Sequence, residues 1–131
     1  MALIVVGLVL GILAALLHVY IFWMESITWT SAKTRATFGV GEQEAAATKE
    51  MAFNQGFYNL FLGLVALIGA VIAFVGSGPV GYALVFAGVG SMLAAAIVLF
   101  ASSPDKRGAA IKQGTIPALS LIALLVGLAI A

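Results

Sequence analysis

A chain of 131 residues, 63% hydrophobic and 8% charged with a mean hydropathy of +1.20, has room for one domain. That domain is not a water-soluble one, because so few charges would leave wide apolar patches against water. A net charge of +1 points to no nucleic-acid partner, and the absence of cysteine excludes disulfides, thiolate metal sites and cysteine nucleophiles, leaving an integral membrane protein whose first partner is the lipid bilayer.

Between Ala2 and Met24 the only residue that is neither hydrophobic nor glycine is His18. At about 1.5 Å per residue such a run crosses a hydrocarbon core of about 30 Å, which gives a first span over residues 2–25. A cleaved secretory signal fits less well, since no basic segment precedes the run and the apolar stretch is longer than a signal core. Tyr20, Trp23 and Trp29 gather where the run meets charge, as interfacial aromatics do.

The end of this run, His18 to Glu25, reads H-V-Y-I-F-W-M-E. On an α-helix its histidine and acid share a face about two turns apart, roughly 10 Å along the axis. An ionisable group placed in hydrocarbon costs a few kcal/mol or more, so the pair marks a functional-site hypothesis.

Residues 26–50 turn polar, with Lys33, Arg35, Glu42, Glu44, Lys49 and Glu50 and a break at Gly39-Val40-Gly41. The run from Glu42 to Glu50 is built of good helix formers with acids at its start, so the second helix is expected to begin near Glu42 and to enter the membrane over 51–75. Gly76-Ser77-Gly78-Pro79 is a turn by composition, and the third span, 80–101, stops at Ser102-Ser103-Pro104-Asp105. A second basic loop, 102–112, carries Lys106, Arg107 and Lys112. The fourth span is expected over 113–131, with Pro117 near its first turn, where a missing N–H costs least. The fold class is all-α: one domain, 1–131, a polytopic four-helix antiparallel membrane bundle.

All six basic residues fall in the loops 26–50 and 102–112. The positive-inside rule makes both loops cytoplasmic and both termini extracytoplasmic in a multi-pass protein of the cell membrane.

Helices in lipid associate through small residues and through polar groups seeking partners. In the first span Gly7, Gly11 and Ala14 or Ala15 share a face with His18 and Glu25, which turns the imidazole into the bundle. The second places Gln55, Gly56, Asn59, Gly63, Ala66 and Ala70 in one arc, with Asn54 and Tyr58 on another side. The third offers Gly81, Gly88, Ser91 and Ala95; the fourth, Gln113, Pro117, Ser120 and Gly127. Counting inward from the cytoplasmic boundary puts Glu25 near Asn54 or Gln55, His18 near the level of Asn59, and Gln113 at the same end. His18, Glu25, Asn54, Gln55, Asn59 and Gln113 are therefore the candidate ligand-binding set.

Plainer readings exist for each. The histidine ring is satisfied by Asn59, a hydroxyl or a carbonyl; Glu25 pairs with a loop Lys or Arg; the amides are interhelical glue worth about 0.6 kcal/mol each. One histidine and one carboxylate are too few for a transition-metal site. No serine or threonine matches the depth a triad needs, and the glycine-rich turns lack the Lys-Ser/Thr ending of a phosphate loop, so neither metal nor cofactor is expected and no catalytic residue is assigned.

In His18-Val19-Tyr20-Ile21-Phe22 with Glu25, in Trp29, in Asn54-Gln55-Gly56-Phe57-Tyr58-Asn59, and in Gln113-Gly114 followed by Pro117-Ala118, the chain resembles the small four-span bacterial membrane proteins known as domain of unknown function 1304. The likeness runs over almost the whole chain and departs at Phe100-Ala101, where the family pattern implies Tyr-Gly. It implies four spans and weight on the same polar residues, and it implies no reaction.

The functional expectation is a ligand-binding or transport-type protein with a small-molecule or lipid ligand, in which His18 and Glu25 couple binding to protonation. Four thin, glycine-rich spans enclose little volume, which favours a homo-oligomer or a larger membrane complex. The alternatives are an accessory structural subunit of such a complex, or a membrane enzyme acting on a lipid or small apolar substrate with His18 as base and Asn59 or Gln55 polarising the substrate. An enzyme of that kind needs a lateral opening toward lipid at the depth of His18.

Overall fold

The first apolar run forms α1, Ala2–Phe22, and the chain then widens into a π-helical segment, Trp23–Ile27, in which the Thr28 N–H donates to the Trp23 carbonyl at 3.1 Å. The computed structural model describes residues 1–131 and contains no strand.

The polar stretch that follows is a folded cap and not a plain loop. Its first helix, α2 (Ala32–Phe38), starts on Ser31, whose hydroxyl accepts from the Thr34 N–H, and ends on Gly39 at φ 67°, the left-handed region that glycine enters without a Cβ penalty. Its second, α3 (Glu42–Ala47), begins where the acids of Glu42 and Glu44 predict a helix start. The helix expected to run on from there is interrupted at Thr48, whose hydroxyl donates to the Glu44 carbonyl at 2.7 Å and accepts from Trp29 Nε1 at 3.2 Å. A threonine hydroxyl competing for backbone in this way ends one helix and starts the next, α4 (Lys49–Val75).

Gly76 and Ser77 turn the chain into α5 (Gly78–Ser102), with Pro79 in the first turn, where its missing N–H removes no helical bond. Pro104 then stops α5 and opens a short 3-10 turn, Pro104–Lys106, that leads directly into α6 (Arg107–Ala129). The fourth helix thus begins at Arg107 and not at Gln113, and Pro117 lies buried inside it and not at its start. The segment Arg107–Ile116 is rich in residues that tolerate helix, and in a membrane bundle an interior proline is accommodated by neighbouring helices.

The four long helices form a ring in the order α1, α4, α5, α6, each packed antiparallel on its neighbours, with α1 and α5 meeting across the centre. Small residues set the spacing. Gly7 lies against Leu124, Gly63 against the Ala15 carbonyl and Val19, Gly88 against Ala66, and a Cβ added to Gly81 would overlap the Ala73 backbone. Leu8, Val85, Val89, Met92 and Leu124 fill the centre. Ser91 and Ala95, expected on the small packing face of the third span, are exposed, while Gly81 and Gly88 are buried as expected.

Large apolar side chains such as Leu16, Phe61, Ile68, Ile97 and Ile122 cover the outer surface. All four long helices are long and apolar enough to cross a membrane, and this is a multi-pass membrane protein. Lys33, Lys49, Lys106, Arg107 and Lys112 all lie at the end of the bundle where α1 stops and α4 starts, referred to below as the basic end.

Candidate functional site

His18 is completely buried. Gly11, Ala14 and Ala15 precede it on the same face, so α1 sits close to its neighbours and the ring is enclosed by protein, as the sequence predicts. Its Nδ1 lies 2.8 Å from the Ala14 carbonyl oxygen on the preceding turn. A carbonyl only accepts, so Nδ1 carries the hydrogen, and in the neutral ring Nε2 is then a lone pair. That Nε2 is buried and has no hydrogen-bond partner. Leaving a polar atom in this state costs about 1–3 kcal/mol.

The register of the helices fixes what stands level with the ring. On α6, Gly7 against Leu124 and Gly11 against Ser120 set an antiparallel spacing that carries His18 to the level of Gln113 and Gly114. On α4, Gly63 is held between Ala15 and Val19, either side of His18 along the helix. The layer around the imidazole therefore holds Gly63 and Gln113, and Asn59, expected there, lies nearer the basic end.

Asn59 instead meets Glu25. Its Nδ2 donates to Glu25 Oε2 at 2.8 Å and to its own Gln55 carbonyl at 3.2 Å. The α1–α4 register is uniform, with Gly63 between Ala15 and Val19 and Gly56 between Phe22 and Ser26. Glu25 therefore stands level with Gln55 as expected, and from within the π-helical turn it bonds Asn59 by side chains reaching along the helices. Such turns are rare and recur at functional positions. The same segment is pinned to α4 by Ser26, whose hydroxyl donates to the Phe53 carbonyl at 2.8 Å, and by the edge-on contact of Phe22 with Phe57, centroids 5.1 Å apart.

Asn54 and Gln55 do not join the cluster. Both are exposed, and Asn54 Nδ2 donates to the Glu50 carbonyl of its own helix. Gly56 faces Ser26 of the π-helical segment, and a residue one step before it on the helix is turned about 100° away. Gln113 is partly buried. The structure thus brings Glu25 and Asn59 together directly, sets His18 deeper with Gln113 at its level, and leaves Asn54 and Gln55 outside.

Two further polar groups are buried, Ser120 on the packing face expected for the fourth span and Arg35 Nε in the cap. Ser120 donates to the Gly7 carbonyl at 2.8 Å across the buried α1–α6 interface, and Nε of Arg35, in α2, is buried without a partner. A serine on a small face is compatible with either packing or bonding, and only the register between distant helices decides which.

Comparison with known proteins adds a family and no activity. No curated protein and no solved structure matches the chain. The family model described as protein of unknown function, DUF1304, matches residues 12–125, a range that takes in His18, the π-helical turn with Glu25, Asn59 and Gln113. The chain belongs to the DUF1304 family.

Proposed function

We propose that the protein is a ligand-binding membrane protein of the transport type, with a polar site at the cytoplasmic side in which His18 exchanges a proton as ligand binds. The observation that carries this reading is the buried, unpartnered Nε2 of His18. A base held bare inside protein, with a carboxylate–amide pair between it and the basic end, is an arrangement that takes up a proton or a donor group when one arrives. Glu25, Asn59 and Gln113 are the remaining members of the site, and Asn54 and Gln55 act, if anywhere, at its rim.

The basic end is assigned to the cytoplasm from the six basic residues, which places both termini outside the cell membrane. The reading as a membrane enzyme needs a lateral path from lipid to His18; a groove between α5 and α6 at Gly114 lies at that depth, but the ring does not line it.

One observation favours a second reading, assembly with other helices. The outward side of α5 exposes Ala83, Ala87, Ser91, Ala94 and Ala95, a spacing on which another membrane helix packs closely. A second copy of the chain or a foreign subunit seated there is compatible with transport and is also what an accessory subunit requires.

Currents from proteoliposomes on a solid-supported membrane, challenged in turn with amino acids, amines, organic anions and sugars, test the proposal. The expected result is a pH-dependent current with one class that is abolished in His18→Ala while insertion is unchanged. Currents with the same pH dependence in the variant, or no current with any class, would remove His18 from a transport role.

A further inference from the structure

At the basic end of the bundle, α5 and α6 are drawn together by Gly114, where an added Cβ would lie 2.9 Å from the Ala96 Cβ. Larger side chains stand on either side of this contact. The result is an apolar groove of about 260 Å³ that opens on the outer surface of the bundle, with Leu93, Ala96 and Phe100 on one wall and Ile111, Gly114 and Ala118 on the other. Along α6 it extends from Ala110 to Ala118, roughly 12 Å at the helical rise.

One end of the groove is capped by a cation. The Arg107 guanidinium carbon lies 5.0 Å over the centre of the Phe100 ring, and Arg107 Nε donates to the Phe100 carbonyl at 3.1 Å. The side chain is exposed, and those two contacts leave both Nη groups for an external acceptor. Lys106 and Lys112 flank it, against the single acid Asp105.

We infer that this groove holds an anionic phospholipid, with an acyl chain along α5 and α6 and the headgroup phosphate on Arg107. Charge favours this occupant over a helix. The cation sits where the apolar walls end, the position of a phosphate when its chain lies between those walls. Planar, always charged and rich in donors, an arginine held on an aromatic face is preorganised for that phosphate. The groove passes the level of His18 at Gly114, but His18 does not line it, and the inference does not depend on the transport reading.

Native mass spectrometry of the detergent-purified protein, mixed with equal amounts of phosphatidylglycerol and phosphatidylcholine, measures the preference. The wild type is expected to retain one phosphatidylglycerol per chain about fivefold over phosphatidylcholine, the advantage that one basic residue near the membrane surface confers. Arg107→Gln brings the ratio near one, Arg107→Lys keeps part of the preference, and Ala118→Phe, which fills the groove, removes both adducts with helicity unchanged by circular dichroism. The inference is overturned if the wild type shows no preference, if Arg107→Gln retains it, or if Ala118→Phe keeps its lipid. Because the chain has no cysteine of its own, Thr115→Cys adds a further arm: efficient disulfide cross-linking between copies in membranes would put a second copy in the groove and overturn the lipid.

Discussion

Asn59 donates to the Glu25 carboxylate at 2.8 Å across the α1–α4 interface, and His18, about two turns deeper on α1, has an Nε2 with no partner at all. Two ionisable groups on one helix thus differ in how they are held. The carboxylate is tied to a neighbouring helix, and the imidazole is anchored only through Nδ1 to its own backbone.

Replacing His18 by methionine removes an unsatisfied buried atom and keeps an adaptable side chain of comparable bulk. The expected outcome is a bundle more stable by about 1–3 kcal/mol, with pH-dependent ligand response lost. A thermal denaturation series in detergent measures it, and a lower melting temperature would mean that Nε2 has a partner worth keeping.

The Glu25–Asn59 bond couples two helices. A double-mutant cycle with Glu25→Ala and Asn59→Ala, followed by unfolding in bicelles, is expected to give a coupling of about 1 kcal/mol, within the range measured for interhelical hydrogen bonds in membranes. Additive effects would show that the pair is held by its surroundings and not by the bond.

Much of this arrangement is legible in the residues, and the exceptions have physical causes. The enclosure of His18 follows from Gly11, Ala14 and Ala15 on its face, and the arc Gly56, Gly63, Ala66 and Ala70 is the face that α4 buries. Side-chain direction is less legible. Glu25 stands level with Gln55, as a residue count gives, but side-chain direction decides which group it meets, so its carboxylate bonds Asn59 while Gln55 is exposed. The early start of α6 escaped because charged and small residues from Arg107 to Lys112 read as a loop by composition, although nothing in them forbids a helix. Local hydroxyl contacts such as Ser120 to Gly7 depend on partners more than a hundred residues away and leave no trace in pattern.

Close packing sets opposite signs for the same substitution on α5. Gly81→Ala drives a methyl into the Ala73 backbone and is expected to destabilise by about 1–3 kcal/mol, whereas Gly90, with nothing within 4 Å of an added Cβ, gains about 0.5–1 kcal/mol from the same change. Unfolding of the two variants side by side checks the pair, and equal effects would contradict the α4–α5 contact described.

Orientation is checked by accessibility. In an otherwise cysteine-free chain, Gly41→Cys is expected to resist a membrane-impermeant maleimide in intact cells and Ser77→Cys to react. The reverse pattern would put the basic end outside.

The most direct measurement is the nitrogen-15 spectrum of the protein labelled at histidine and reconstituted in bilayers, since His18 is the one histidine in the chain. The structure predicts a protonated Nδ1 and a bare Nε2, the latter shifting when a bound ligand donates to it. A ring with its proton on Nε2 and none on Nδ1 would contradict the account, because the atom proposed to exchange the proton would already be occupied.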